Sequence, residues 1–390
     1  MMRVLQLPTA VGGASSGLSH QLAQLGIHSV VWTIDQNYLE FPVDRVLTDP
    51  QEPLLVQMLK VLKAGSYVFG RWDVVHFNYG STLFSNGGRL LAMRPDARVR
   101  AGARLLTGLL GVASAALQRL ELGILRARRI PVFVVYQGDD ARQGDYSLEH
   151  FEISIATQVP PGYYTPRSDA WKRRQIALMS RHAAGVYAVN PDLMNVLPAS
   201  ASFIPYGHVP VQDWVPAYTQ AEHERLVFAH APSNRDVKGT DLVLRALDEL
   251  EAEGYEFDLD LIEGVDNVTA LERYRSSDVV IDQLYAGWYG GVALEAMALG
   301  KPVVVYLRDS DLHFIPEGMA DELPFLRSTP ATIKDTLRSV LEMPRDQLVE
   351  VARRSRAYAE RWHDPLGIAS RIASDYRREV DHAHRKRDVK

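Results

Sequence analysis

The sequence of 390 residues contains no cysteine. A disulfide framework, a thiolate metal site and a cysteine nucleophile are therefore excluded. The chain also lacks an uncharged apolar run near the roughly 20 residues that a transmembrane helix needs. Its first apolar segment, 3–7, has the pattern of a strand and not of a signal peptide. We therefore expect a soluble cytoplasmic protein, with peripheral contact at the inner face of a membrane left open.

An excess of positive charge is missing as well. There are 43 basic against 48 acidic residues, which gives a net charge of −5. Proteins that bind nucleic acid usually carry a basic excess, so we expect no nucleic-acid partner. Hydrophobic residues make up 46% and charged residues 23%, as in ordinary globular enzymes. Because 390 residues exceed one ordinary hydrophobic core, two domains are expected.

Short apolar runs alternate with helical segments along the chain. Strands are expected at 4–7, 28–33, 73–77, 131–136, 186–189, 202–204, 226–230, 257–262, 279–282 and 303–305. Buried strands separated by helices indicate parallel βαβ units, and hence an α/β fold of two doubly wound, Rossmann-like domains facing each other across a cleft. The predicted boundaries are 1–205 for the N-terminal domain, 206–222 for a linker, 223–375 for the C-terminal domain and 376–390 for a charged tail.

The segment 289–305 carries the most specific pattern. Gly290 and Gly291 allow close approach of the backbone to a ligand, and a helix follows whose free N–H groups and positive dipole end face the same place. Glu295, expected in the first helical turn, can accept from sugar hydroxyls. Pro302 stops the helix before a strand. The segment predicts a pocket for a phosphorylated, sugar-like ligand, although Glu295 could instead simply stabilise the helix N-terminus.

Two cations lie in a second cluster, between the first strand of the second half and its helix. Arg235 and Lys238 together would neutralise a diphosphate and stabilise the charge of a departing phosphate. As an alternative they are ordinary solvated loop charges. Gly12 and Gly13 hold the corresponding place after the first strand of the first half, where a glycine pair is often only a turn.

The order of Gly12-Gly13, Arg235-x-x-Lys238-Gly239 and the segment 290–304 resembles the large family of retaining glycosyltransferases with the GT-B fold, of the family-four type. The resemblance covers essentially the whole chain and is strongest over 226–306. It implies sugar transfer with retention from a nucleotide-sugar donor in the C-terminal domain to an acceptor in the N-terminal domain, with no cofactor and no metal. By resemblance, Glu295 binds the nucleotide ribose, Arg235 and Lys238 bind the diphosphate, and Gly12 and Gly13 line the phosphate site. Gly290, Gly291 and Gly287 complete the predicted donor site.

One position departs from that pattern. The family commonly has a second glutamate eight residues before the one at Glu295, and this chain has Gly287. Backbone amides around Gly287 to Gly291 or the carboxylate of Asp282 could take its place. Alternatively, the protein binds a sugar nucleotide, or activates a partner, without catalysis. A sugar-nucleotide epimerase of the same fold is a further alternative, whereas an NAD enzyme is disfavoured because the first glycine pair lacks the further spaced glycines.

The sequence gives weaker signals for the acceptor site than for the donor site. Many relatives have a histidine after the strand at 131–136, where this chain has a polar segment in which Asp139 can accept from sugar hydroxyls. His76, at the end of another strand, is a second candidate, although a histidine there is more often packed or hydrogen-bonded. Trp288 and Tyr289 could stack on a sugar, but aromatic residues beside a sheet are more often core. The acceptor stays open among a lipid-linked glycan, a polysaccharide and a natural product.

The segment 98–129 has an unusual charge distribution. It contains seven arginines and one acid, Glu121, and is uncharged between Leu105 and Gln118. This pattern predicts a long helix, or a pair of helices, with basic ends. Such a segment could lie on a membrane surface against anionic lipid head groups. It could equally be a buried helix or an oligomer contact.

Overall fold

The computed structural model describes residues 1–36, 41–85, 101–218 and 225–388, without the side chains of 101–108 and 386–388. Within these residues the first half forms a parallel sheet of order β3-β2-β1-β4-β5-β6-β7. Its strands are β1 Arg3–Leu7, β2 His28–Thr33, β3 Arg45–Val46, β4 Val74–Asn78, β5 Val132–Tyr136, β6 Ala183–Ala188 and β7 Ser202–Phe203. The edge strand β3 was not predicted, because two exposed residues carry no apolar pattern.

The second half forms a parallel sheet of order β12-β11-β10-β8-β9. Its strands are β8 Leu226–His230, β9 Phe257–Leu261, β10 Val279–Ile281, β11 Val303–Val305 and β12 Leu326–Arg327. The central strands β10 and β11 are fully buried, as uninterrupted valine and isoleucine runs indicate. The edge strand β9 alternates with aspartates and is partly exposed.

Helices connect the strands on both faces of each sheet. In the first half they span Ala14–Gln24, Leu54–Ala64, Ala101–Ala127, Gly144–His150 and Pro166–His182. In the second half they span Arg235–Lys238, Thr240–Ala252, Asn267–Ser276, Gly291–Ala298, Glu317–Asp321, Ile333–Glu342, Arg345–Trp362 and Pro365–Asp388. Local signals set several of their starts. Thr165 forms a capping box with Ser168 ahead of Pro166, and the Asp266 side chain caps the helix at Asn267.

Successive residues of the strands point into different cores. In β5, Val132 and Val134 join one buried cluster while Phe133 and Val135 join another on the opposite face. The second sheet behaves likewise, since Val303 and Val304 belong to two separate clusters. Parallel strands covered by helices on both faces confirm the predicted fold class, two doubly wound α/β units.

The C-terminal helix Pro365–Asp388 returns to the first sheet. Tyr376 and Val380 are buried in the same cluster as Val4 and Phe133. The prediction of a charged tail from residue 376 is therefore wrong for its described part. The many charges of this stretch occupy the outer face of a helix, and its apolar residues recur at helical spacing on the inner face.

The predicted linker is described as far as residue 218, and 219–222 lie outside the described residues. It is not a detached spacer, because Val209 and Val211 are buried in the core of the second sheet. The domain boundaries themselves stay a prediction. The basic segment 98–129 is described from residue 101 and forms one long helix, Ala101–Ala127.

That long helix is half packed and half exposed. Leu122 and Leu125 are buried against the first sheet, and Glu121 accepts from the Tyr67 hydroxyl at 2.7 Å. Burial raises the pKa of Glu121 to about 7, against the effect of its hydrogen-bond donors. Among the described residues, no helix is both long enough and apolar enough to cross a membrane.

Candidate functional site

The carboxyl ends of the two sheets face each other across a cleft of about 420 Å³. Ligands of open α/β sheets bind at these strand ends, in pockets of this size. The first half contributes Gly12, Tyr79, Gln137, Gly138, Asp139, Arg142 and Val189. The second half contributes Ser233, Lys238, Gly264, Asn267, Gly291, Val292 and Glu295.

The first glycine turn borders this cleft. Gly12 and Gly13 have φ of +58° and +71°, in the left-handed region that favours glycine. A Cβ on Gly12 would meet nothing within 4 Å, whereas one on Gly13 would lie 2.8 Å from the ring of Phe41. Gly12 therefore leaves open space on the cleft wall. Gly13 is required by the turn and by its packing, and starts the helix Ala14–Gln24.

The helix Gly291–Ala298 points its N-terminus into the cleft. Gly291 and Val292 line the cavity, so the unpaired N–H groups of the first turn face its interior. The N–H of the capping residue Gly290 donates to Asp282 Oδ2 at 2.7 Å. Gly290 is packed behind the lining, because a Cβ there would lie 3.2 Å from Lys238 Nζ.

Glu295 reaches the cleft from the second turn of that helix, and the expectation of a first-turn position is corrected. The side chain is buried and accepts one hydrogen bond, from Asn267 Nδ2 to Oε1 at 2.9 Å. Burial raises the pKa of Glu295 to about 7, while the Asn267 hydrogen bond acts in the opposite direction. The remaining acceptor capacity of this carboxylate is suited to ligand hydroxyls.

Lys238 lines the cleft, and its ammonium already has two hydrogen-bond acceptors within the protein. Nζ donates to Asp282 Oδ1 at 2.7 Å and to Gln283 Oε1 at 3.0 Å. An ammonium has three donors, so one is left for a ligand. Asp282, at the end of β10, thus joins Lys238 to the N–H of Gly290 and holds the cation beside the helix N-terminus.

Arg235 lies outside the cleft lining. Its guanidinium donates to both oxygens of Glu263, at 2.9 and 2.7 Å, and nearly half of its side chain is exposed. The short helix Arg235–Lys238 begins at Asn234, whose side chain accepts from the Val237 N–H. The structure therefore separates the two cations that the sequence pattern pairs.

Gly287 is also absent from the cleft lining. Its φ is +78°, and a Cβ there would lie 2.6 Å from the guanidinium of Arg308. Gly287 itself is covered by Arg308, and Asp282 is paired with Lys238, whereas Gly291, at the other end of the proposed backbone substitute, lines the cleft. Trp288 and Tyr289 are buried in the second core and are not exposed to a sugar.

Of the two acceptor-side candidates, Asp139 and His76, only Asp139 lines the cleft. Asp139 lines the cleft and accepts from Arg142 Nη1 at 3.1 Å, from the Tyr164 hydroxyl at 2.6 Å and from the Tyr163 hydroxyl. Burial opposes ionisation of Asp139, but Arg142 and the two hydroxyls outweigh it and lower its pKa.

His76 lies elsewhere, buried beneath the C-terminal helix. Its Nδ1 contacts the Tyr376 hydroxyl, and burial lowers its pKa to about 3. The cleft lining does not include His76, whose ring packs against Phe133 and Tyr376.

The cleft residues that were not singled out from the sequence include Arg142, Asn267, Tyr206 and His208. The Arg142 side chain is 12% exposed, and its Nε also donates to Asp192 Oδ2 at 2.8 Å. Tyr206 and His208 lie in the predicted linker, which crosses the cleft. Burial lowers the pKa of His208 to about 4. The sequence signal that could have indicated these two cleft residues is the presence of an aromatic residue and a histidine between Pro205 and Pro210.

The described residues contain no group of three or more His, Asp or Glu side chains placed to hold a metal ion.

Comparison by sequence finds no matching protein-family model and no matching curated protein. Comparison by structure finds many similar chains. Sucrose-phosphate synthase from Thermosynechococcus elongatus has a TM-score of 0.59 at 14% identity, over 97% of this chain and 99% of that one. Anabaena HepE in complex with UDP-glucose has a TM-score of 0.59 at 16% identity, over 96% and 99%.

The catalytic domain of Arabidopsis thaliana starch synthase IV, bound to ADP and acarbose, has a TM-score of 0.56 at 11% identity, over 97% of this chain and 99% of that one. These likenesses extend over both sheets and the cleft between them. At such identities they establish the architecture. The chain has the GT-B fold, with two Rossmann-like domains.

Proposed function

We propose that this protein is a glycosyltransferase that moves a sugar from a nucleoside-diphosphate sugar to an acceptor. The observation that carries the proposal is the convergence of Glu295, Lys238 and the N-terminus of helix Gly291–Ala298 on one wall of a GT-B cleft. The Glu295 carboxylate can accept hydrogen bonds from ligand hydroxyls, and Lys238 and the helix N–H groups beside it can donate to a phosphate. Proteins with the same fold have been solved with UDP-glucose and with ADP in place.

The nucleotide is assigned to the second domain. Glu295, oriented by Asn267, would accept from the ribose hydroxyls. The diphosphate would lie at the N-terminus of helix Gly291–Ala298 and take the remaining donor of Lys238. The sugar would then point across the cleft towards Gly12, where no side chain obstructs it.

In the proposed reaction, Lys238 and the helix N-terminus act on the leaving group, the nucleoside diphosphate. As the bond between the sugar and the diphosphate breaks, negative charge grows on the phosphate oxygens. Lys238 and the helix N-terminus stabilise that charge in a largely desolvated site. The departing phosphate would accept the proton of the attacking hydroxyl, because Asp139 is committed to Arg142 and two tyrosine hydroxyls. Retention at the anomeric carbon and independence from metal ions belong to this proposal.

One observation favours a second candidate, a protein that binds nucleotide sugars without transferring them. Both cations expected at the diphosphate already have carboxylate partners, Arg235 with Glu263 and Lys238 with Asp282. Asp282 offsets part of the Lys238 charge that would stabilise a departing phosphate, whereas binding of the donor needs only the remaining hydrogen-bond donor of Lys238.

Incubation of the purified protein with a panel of nucleotide sugars, followed by ³¹P and ¹H NMR, distinguishes these functions. Release of nucleoside diphosphate supports transfer or donor hydrolysis. Saturable binding without product supports the binding protein, and a changed sugar still attached to its nucleotide supports an epimerase. Failure of every nucleotide sugar to bind would contradict the proposal.

Two further arms sharpen this experiment. Glu295→Ala should weaken nucleotide binding, while the matched control Glu272→Ala, an exposed helical glutamate, should not. Chelator should leave the rate unchanged. Loss of the activity with chelator and its return with a divalent cation would reject metal independence.

A further inference from the structure

A second cavity of about 420 Å³ lies at the opposite edge of the first sheet. It is formed where β1, β4 and β5 begin, whereas the cleft lies where they end. Five-residue strands rising about 3.3 Å per residue place the two cavities about 16 Å apart. The charged or titratable residues of its lining are Arg3, Arg71, Arg128, Arg129, His384 and one acid, Asp73.

The guanidinium groups of this cavity have few acceptors. Arg3, Arg71 and Arg129 make no side-chain hydrogen bond or ion pair within the described parts of the chain, and Arg3 is placed over the Trp72 ring at 5.0 Å. The Asp73 carboxylate accepts from the backbone N–H of Arg3 at 2.7 Å. Four guanidinium groups therefore share a concave site with one carboxylate, and a phosphate group would stabilise the excess positive charge.

The backbone around the cavity supports the same interpretation. Arg129 has φ of +58° at the end of helix Ala101–Ala127, a position where glycine is favoured. The chain instead places a guanidinium there. Its neighbour Arg128 donates to the carbonyl oxygens of Val68 and Gly70, at 2.9 Å for Gly70, and so fixes the loop that carries Arg71.

We propose that this arginine pocket, formed by Arg3, Arg71, Arg128 and Arg129, binds a phosphate monoester or diphosphate group in addition to whatever the cleft binds. The group can belong to a soluble phosphate compound or to a lipid head group. The lipid source is included because the exposed side chain of Phe69 lies on the same loop as Arg71. The apolar residues Val112 and Leu120 are also exposed on the helix that ends at the pocket.

The test uses the 390-residue chain and two probes. Inorganic pyrophosphate is titrated by calorimetry, and vesicles of phosphatidylcholine with or without phosphatidic acid are used in flotation. At least one anionic probe should bind. The double variant Arg71→Gln/Arg129→Gly should weaken that binding by at least about tenfold, since charge-assisted hydrogen bonds are lost. Glycine suits the left-handed backbone at 129 and Arg71 is exposed, so this variant is expected to fold.

Arg353→Gln is the matched control, because it removes an exposed arginine from the other half of the chain. Pyrophosphate binding lost in the double variant identifies a soluble ligand. Flotation that needs phosphatidic acid and is lost in the double variant identifies a lipid head group. The proposal is overturned if neither probe binds, or if the double variant binds as the wild type does.

Loss of pyrophosphate binding in Lys238→Met/Asp282→Asn, which removes the buried charge pair as a whole, but not in Arg71→Gln/Arg129→Gly, would place the anion in the cleft and would also overturn the proposal. The readouts are pyrophosphate and vesicle binding and not sugar transfer. The arginine pocket and the glycosyltransferase proposal can therefore fail independently.

Discussion

The guanidinium of Arg308 fills the space beside Gly287, where a Cβ would lie 2.6 Å from it. Arg308 also donates to the carbonyl oxygen of Ile153 in the first half of the chain at 2.7 Å, and it lies 3.7 Å from the centre of the Phe151 ring. Asp311 holds the same guanidinium at 2.8 Å. The position where family resemblance implies a glutamate is thus closed by a contact between the two halves.

Gly287→Ala should destabilise the protein more than Gly254→Ala. Both glycines have positive φ, which costs an alanine about 1–2 kcal/mol. A Cβ at Gly254 meets nothing within 4 Å, whereas one at Gly287 must also displace Arg308. Denaturant titration of the two variants measures the difference. Equal losses would show that Arg308 moves away without penalty.

Lys238→Ala should lower turnover by about ten- to a thousandfold, the range for losing one donor that stabilises transition-state charge. Arg235→Ala should stay within about fivefold of the wild-type turnover, because its exposed pair with Glu263 lies outside the cleft. The sequence pattern by itself predicts equal effects. Steady-state rates on the identified donor distinguish the two.

Stability must be checked for the Lys238 variant. Removing the ammonium leaves Asp282 buried without its cation, which costs about 3–5 kcal/mol. The double variant Lys238→Met/Asp282→Asn should recover much of that stability but not the turnover. Recovery of both would show that Lys238 acts only through folding.

Glu295 should make the wild type less stable as pH rises. Its pKa is raised by burial from 4.5 to about 7, so the folded state binds the proton more tightly than the unfolded state. The contribution of Glu295 to the free energy of unfolding should therefore fall by about 3 kcal/mol between about pH 4.5 and 7. Above pH 7 this contribution should stay constant. Glu295→Gln lacks this contribution. Subtracting its stability profile from that of the wild type removes the parallel effect of Glu121, and a difference that does not vary with pH would contradict the prediction.

Gly291→Ala should separate folding from binding. Gly291 has ordinary helical φ, so alanine should preserve or raise stability by about 0.5–1 kcal/mol. Its Cβ would lie 3.4 Å from His208 Nε2, at the helix N-terminus that lines the cleft. Nucleotide affinity should fall by about tenfold or more, since the Cβ would hold the phosphate out of reach of the helix N–H groups and a lost hydrogen bond to a charged group costs about 1.5–3 kcal/mol. Gly111→Ala, in an open helical position, is the control, and unchanged affinity would reject the phosphate assignment.

Tyr376→Ala should destabilise the protein by about 3–5 kcal/mol, as the loss of a buried aromatic side chain does. Tyr376 packs on Phe133 with ring centroids 4.7 Å apart and contacts His76. The exposed neighbour Arg377→Ala should change stability little. Thermal unfolding compares them, and equal small effects would indicate that the C-terminal helix is dispensable.

Much of the fold follows from local patterns in the sequence. The runs at 226–230 and 303–305 form strands with those bounds, because burial on both faces demands uninterrupted apolar residues. The glycines of the two turns were located for a similar local reason, since only glycine readily takes φ near +60° at Gly12. The C-terminal helix was missed because its charges dominate the composition while its apolar residues are spaced around them.

The sequence by itself determined most of the strands and the two α/β units, since these depend on neighbours a few residues away. Only the tertiary structure decided which charges are free to meet a ligand. Arg235 is held by Glu263, Lys238 by Asp282 and Arg308 by Asp311 beside Gly287. Such pairings depend on where separate strands and loops end in space. Hydrophobic periodicity carries no information about those distances.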